Sequence, residues 1–231
     1  MAVFITGAGI KPVLGKLASD YAVGESVFLM ENGTAVEYLV VNQGIPSDSS
    51  LYDASCDGVW VLRKDCYIQS GLHTNNATND YQNLYAHTTL LNETFYGLLD
   101  SAVQRAIQTA KIPYWDGYGS TGSVATGSNG LSTKIFLLSI AEVGLDSDSL
   151  CDGVELSYFS NGGSRQSYYN GTVVNWWTRS PAKGETGYSL IVSTSGAAGM
   201  AQTGSSRYIR PAFIIKSNTK FDPDTNIFKG V

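Results

Sequence analysis

Short runs of apolar, β-branched and aromatic residues recur along this chain between stretches rich in Gly, Ser, Thr and Asn. That alternation predicts many short strands joined by polar loops. Val27-Phe28-Leu29-Met30 and residues 34–41 flank Asn32-Gly33, a dipeptide suited to turns in which both central residues need positive φ, and so predict a hairpin. Val59-Trp60-Val61-Leu62 reads as another strand, entered through the turn residues Cys56-Asp57-Gly58. Residues 134–139 are an apolar run suited to a buried strand. Residues 173–178, 188–193 and 207–215 supply the later strands, and Pro211 places the last at a strand start or a sheet edge.

Helical spacing is confined to the middle of the chain. Tyr81, Leu84, Tyr85, Thr88 and Leu91 predict a helix over 79–91 with Asn79 as its cap. A second helix starts at Asp100 or Ser101, where Ser101 and Gln104 fit a capping box. Val103, Ala106, Ile107 and Ala110 give it an apolar stripe, and Pro113 forbids its continuation. Two helices between early and late strands make an α+β pattern, with mixed antiparallel sheets, rather than βαβ alternation. Residues 1–20 lack a clear period and read as an N-terminal arm or attachment segment, leaving 21–231 as one domain.

Composition narrows the function. Only 15% of the 231 residues are charged, the net charge is −5, and Tyr occurs 14 times. No basic surface for nucleic acid is expected. No apolar run approaches the roughly 18 residues of a membrane span, so membrane insertion is not expected either. Residues 1–17 lack a charged start and an apolar core, so no secretory signal is read there. Cys56, Cys66 and Cys151 are an odd, scattered set that does not suggest a disulfide framework. The surface is polar without being charged, as in paratopes that contact ligands through Tyr, Ser, Gly and Asn.

Candidate chemistry is sparse. Thr6-Gly7-Ala8-Gly9-Ile10 imitates a dinucleotide-binding turn, but Pro12 stands where the phosphate-binding helix should form, so a Gly-rich arm is the better reading. His73 and His87 have no Cys or His at ligand spacing and read as surface or satisfied polar residues. Asp146, Asp148 and Asp152 form an acidic cluster, and Asn75, Asn76, Asn79 and Asp80 an oxygen-rich one. Neither completes a calcium loop, and the first reads as a solvated turn. No cofactor or metal is expected. Trp176-Trp177-Thr178-Arg179-Ser180-Pro181 is the most distinctive string. In a strand the two indoles point to opposite faces, and Arg179 shares a face with Trp177, where it can stack on a ring or pair with a carboxylate. Arg210-Pro211-Ala212-Phe213 opens the closing core strand.

These two strings, with residues 22–64 and 131–139, resemble an uncharacterised family of Firmicutes and their phages, over roughly 17–216. The segment between the strings resembles the variable region of diversity-generating-retroelement proteins. That resemblance implies a C-type lectin-like fold of the formylglycine-generating-enzyme subtype. It also implies a fixed scaffold presenting a binding face. The enzyme of that subtype depends on reactive cysteines, and none follows Cys151 here. Lys183, Glu185, Met200 and Gln202 cannot arise from AAC or AAT codons by changes at adenine, so they stand outside the codon class such systems mutate.

The chain therefore reads as a receptor-recognition protein rather than an enzyme. It is expected to be phage- or prophage-encoded and carried on the virion. Its expected partner is a host cell-surface protein or glycan, and other virion proteins can join it. The alternatives are a bacterial carbohydrate- or protein-binding module at the cell surface, or an architectural virion protein without a ligand. The expected ligand-contacting residues are Lys183, Glu185, Thr186, Tyr188, Ser189, Thr194, Ala198, Met200, Gln202, Thr203 and Ser205.

Overall fold

The computed structural model describes residues 15–47, 50–146 and 150–228. Ten strands make its two larger sheets: β1 (Ser26–Glu31), β2 (Thr34–Gln43), β3 (Val59–Arg63), β4 (Ile68–Ser70), β5 (Ile135–Phe136), β6 (Trp176–Pro181), β7 (Tyr188–Val192), β8 (Ala198–Gln202), β9 (Arg207–Ile209) and β10 (Ala212–Ile215). The first sheet runs β5-β10-β3-β2-β1 and is antiparallel throughout. The second runs β8-β7-β6-β9-β4 and contains one parallel pair, Trp176 opposite Tyr208. With short helices between the early and late strands, the fold is α+β and mostly antiparallel.

The expected hairpin is β1–β2. Its turn residues Asn32 and Gly33 have φ of 47° and 75°, the doubly positive geometry that matches strand twist. The central strands β3 and β10 are buried on both faces, which explains why their sequences read as continuous apolar runs. Alternation divides them between two cores. Val59, Val61, Phe213 and Ile215 face a core that the helices cover, whereas Trp60, Leu62, Ala212 and Ile214 face a second. Trp176 belongs to the second core and Trp177 to the first, both fully buried, so adjacent indoles from one strand fill both interiors. Their ring N–H groups donate to the carbonyls of Arg165 (2.9 Å) and Ser70 (3.0 Å).

The expected single strand over 207–215 is instead two strands in different sheets. β9 belongs to the second sheet and β10 to the first, and the chain crosses between them at Arg210-Pro211. Proline has no N–H to give a ladder, so it suits this break. The passage from β3 to β4 crosses alongside, and Arg210 joins the two crossings. It donates to the carbonyls of Arg63 (2.9 Å) and Lys64 (3.0 Å), and its guanidinium lies 5.0 Å from the Trp176 ring centre.

The helices differ most from expectation. Residues 79–91 form a 3-10 turn, Tyr81–Asn83, and then a π-helix, Ala86–Phe95, which runs into one α-turn, Tyr96–Leu98. Asn79 does not cap it. Asn92 donates to the His87 carbonyl five residues back and to the Ile135 carbonyl, while its own oxygen accepts from the Ile135 N–H, tying the helix to β5. The second helix spans only Ser101–Ala106. Gln104 forms no capping box there; it donates to the carbonyls of Tyr96 and Leu99. Ala110, expected on its stripe, begins a strand, Ala110–Ile112, paired with Leu131–Thr133. Residues 134–139 are strand only at β5, although 135–139 are buried. Of the expected arm, residues 1–14 lie outside the described residues. Lys16–Leu17 pairs with Lys220–Phe221, and Ala18 is buried, so the described part is packed into the fold.

Trp176→Ala and Trp177→Ala are each expected to lower stability by about 3–5 kcal/mol in urea unfolding, because each empties a filled core position. Unchanged midpoints in both variants would show that the pair does not anchor the two cores.

Candidate functional site: an edge hairpin held from beneath

β7 and β8 pair in a register that sets Tyr188 opposite Gln202, Leu190 opposite Met200 and Val192 opposite Ala198. Period-two alternation therefore places Tyr188, Ala198, Met200 and Gln202 on one face. Leu190 and Val192 are covered there by the second core, but β8 lies at the sheet edge, beyond that cover. Met200 is 62% exposed. Gln202 donates to the Tyr188 hydroxyl (3.1 Å) and accepts from the Asn76 amide (3.2 Å), which fixes the polar groups beside the methionine.

The eleven expected contact residues divide. Lys183, Glu185 and Thr186 are exposed in the loop before β7, as is Thr194 in the turn before β8. Tyr188 and Ser205 are half-buried, and Ala198, Met200 and Gln202 are exposed. Ser189 and Thr203 are buried and leave the set. Ser189 sits opposite Ala201 on the inward face, and the Thr203 hydroxyl donates to the Asn75 carbonyl (3.1 Å). Both are scaffold because strand alternation turns every second residue inward.

What holds this surface is the asparagine-rich segment before the helices. Asn79 is fully buried. Its amide donates to the carbonyls of Glu185 (3.1 Å) and Tyr188 (2.6 Å), and its oxygen accepts from the Gly119 N–H (3.1 Å). Asn76 accepts from the Gly204 N–H (2.8 Å). A Cβ at Gly187 would run into the Asn76 carbonyl, and one at Gly204 would lie 2.8 Å from the Asn76 oxygen, so these glycines permit the close approach. Sequence showed this segment as oxygen-rich without a complete calcium loop; its oxygens and amides bond the loops on either side.

Arg179 is the other outcome of the tryptophan string. It is fully buried, and each of its five N–H groups finds an acceptor. Nε donates to the Pro113 carbonyl (3.0 Å), Nη1 to the Leu137 carbonyl (3.0 Å) and Glu142 (2.5 Å), and Nη2 to Glu142 (2.7 Å) and the Asp152 carbonyl (2.9 Å). Glu142 also accepts from the Tyr52 hydroxyl and the Ser139 N–H. Asp152 is buried beside this pair and accepts from the Ser180 hydroxyl (2.6 Å), while its other oxygen has no partner. Burial pushes its pKa up to about 6. The expected solvated acidic turn is therefore corrected at Asp152. Asp146 accepts from the N–H groups of Leu150 and Cys151, and Asp148 lies outside the described residues. With every Arg179 donor engaged and the group closed to solvent, the arrangement braces the 137–142 and 150–153 segments against β6.

The remaining candidates for chemistry are similarly occupied. His87 is buried between the Gln82 carbonyl and the Thr133 hydroxyl, with its pKa lowered by burial, and His73 accepts from the Tyr85 N–H. Burial pushes the Cys56 thiol up to about 12 and raises Cys66, which disfavours the nucleophilic thiolate. Among the described residues, no group of three or more His, Cys, Asp or Glu side chains is placed to hold a metal ion.

A family profile described as a domain of unknown function, DUF6273, matches residues 57–217, from the turn before β3 through β10. No curated protein and no solved structure matches the chain.

Glu142→Ala is expected to cost about 3–5 kcal/mol of folding stability, because it strands the Arg179 guanidinium in the interior. Asp152 gives a pH signature of its own. Its native pKa of about 6 exceeds the ordinary 3.8, so the folded state binds the extra proton, and stability falls as pH rises through that window. Relative to Asp152→Asn, the wild type should lose on the order of 3 kcal/mol between pH ~4 and pH ~7. Urea midpoints that differ by a constant amount across that range would show that native Asp152 ionises normally.

Proposed function

The chain belongs to the DUF6273 domain family, and we propose that it is a recognition module rather than an enzyme, with its ligand surface on the β7–β8 hairpin and the loop before it. The observation that carries this reading is Met200, a large apolar side chain 62% exposed at a sheet edge and flanked by Tyr188, Gln202 and Asn76 in fixed hydrogen-bonded positions. An adaptable thioether beside aromatic and amide groups suits protein or glycan contact. The clamps beneath act through the carbonyls of residues 185, 187 and 188 and the N–H of residue 204, so they do not depend on which side chains point outward. Such a surface can change its residues while its backbone stays in place.

By its resemblance to the variable proteins of diversity-generating retroelements, the scaffold is a C-type lectin-like fold of the formylglycine-generating-enzyme subtype. The same resemblance makes the ligand a host cell-surface protein or glycan and the carrier a phage virion. In that setting the hairpin meets the host surface, and the packing of β6 between β7 and β9 transmits its position to both cores.

The test combines Lys183→Ala, Met200→Glu and Gln202→Ala. All three side chains are exposed, so folding should hold, with a stability loss of about 1–2 kcal/mol at Gln202, whose two hydrogen bonds are removed. Adsorption of labelled protein to a panel of Gram-positive cells that bind the wild type should fall sharply. Undiminished adsorption by the well-folded variant would place recognition on another surface.

A further inference from the structure

A concave pocket of about 360 Å³ lies where the helix Ser101–Ala106 meets the chain around residues 218–220 and the end of the described chain. Ala102, Ala106 and Phe228 form its apolar wall, and Arg105, Asn218, Thr219 and Lys220 bring polar groups to it. No carboxylate lines it among the described residues, although the chain as a whole carries a net charge of −5. Its volume is within the range of small-molecule sites.

Among the described residues, neither cation here is engaged in an ion pair. Ion pairs elsewhere join Lys16 to Glu25, Arg63 to Glu31, Lys64 to Glu37, Arg165 to Glu155 and Arg179 to Glu142. The Arg105 backbone belongs to the helix, and its carbonyl accepts from the Lys216 ammonium (3.0 Å). That bond, with the Lys216 N–H on the Ala106 carbonyl, satisfies the helix end. It leaves the Arg105 guanidinium and the Lys220 ammonium without a carboxylate among the described residues. A guanidinium offers a planar set of donors that matches a doubly bonded anion, and an ammonium adds a second full charge. The Thr219 hydroxyl and the Asn218 amide can bond further oxygens.

The geometry points to this pocket as a binding site for a small organic phosphate, with the phosphate between Arg105 and Lys220 and an apolar body against Phe228, Ala102 and Ala106. Two cations with no opposing acid among the described residues favour a doubly charged group. A phosphate monoester supplies that charge together with three terminal oxygens for the guanidinium, ammonium, hydroxyl and amide. The site shares no residue with the hairpin surface, so it stands or falls separately from the recognition role.

Isothermal titration of the full chain with phenyl phosphate tests it, with inorganic phosphate and phenol as the two halves of the ligand. Saturable binding of phenyl phosphate is expected, tighter than that of either half and weakened by added NaCl. The Arg105→Gln/Lys220→Gln double variant should bind roughly tenfold more weakly or worse, whereas Lys134→Gln, a cation outside the pocket, should bind as the wild type does. Thermal melts of both variants establish that they are folded. The proposal is overturned by absence of saturable binding, by equal affinity in the folded double variant, or by inorganic phosphate binding as tightly as phenyl phosphate.

Discussion

A guanidinium removed from water needs an acceptor for every N–H, and this fold is organised around two buried arginines that make that demand. Arg179 collects a glutamate and three main-chain carbonyls from separate parts of the chain, so those parts are fixed relative to one another wherever the arginine is folded in. Arg210 uses the carbonyls of residues 63 and 64 and a tryptophan face, and it binds the two places where the chain passes between sheets. Neither choice follows from hydrophobic burial alone, because apolar residues of equal volume could fill the same space. What the arginines add is specification: a displaced crossover or a slipped β6 would leave a buried cation unsatisfied. Arg210 meets the demand incompletely. Among the described residues one of its nitrogens has no partner and no carboxylate pairs with it, and burial lowers its pKa to about 10.

Much of the sheet structure was legible. The Asn-Gly hairpin, the apolar β3 run and the opposed tryptophans follow from local rules of turn chemistry and strand alternation, and they appear where those rules put them. The helices were less so. An apolar spacing of three and four cannot distinguish an α-helix from the wider π turn, which here accompanies an Asn92 side chain engaged with a carbonyl five residues back and with β5. The break at Arg210 was marked by Pro211, but a proline alone does not say that the next strand joins another sheet.

The candidate surface was legible at the level of a segment and not residue by residue. Resemblance pointed to the segment between the two strings, yet Ser189 and Thr203 are as small and polar as their exposed neighbours and face inward. Separating them requires the register of β7 and β8. The supporting asparagines were missed for a different reason. Asn79 lies 106 residues before the Glu185 carbonyl it bonds, and nothing local announces a contact at that separation. A buried amide with donors and an acceptor is an economical clamp for two loops, and its composition looks the same as that of a solvent-facing turn.

The position of β8 carries a colloidal consequence. The main chain bonds of Ser193 to Ala197 and of Thr203 to Gly187 set which residues of this strand turn their N–H and C=O groups towards β7; alternation leaves those of Ala198 and Met200 directed outward. The strand carries no proline, no charge and no bulge, the devices by which sheet borders usually resist being extended. Its chemistry is therefore open to any extended backbone that arrives, including that of a sibling molecule at high concentration. On the proposed recognition role, selection on its side chains must balance capture against clumping, and this border is neutral, glycine-bearing and capped by one methionine.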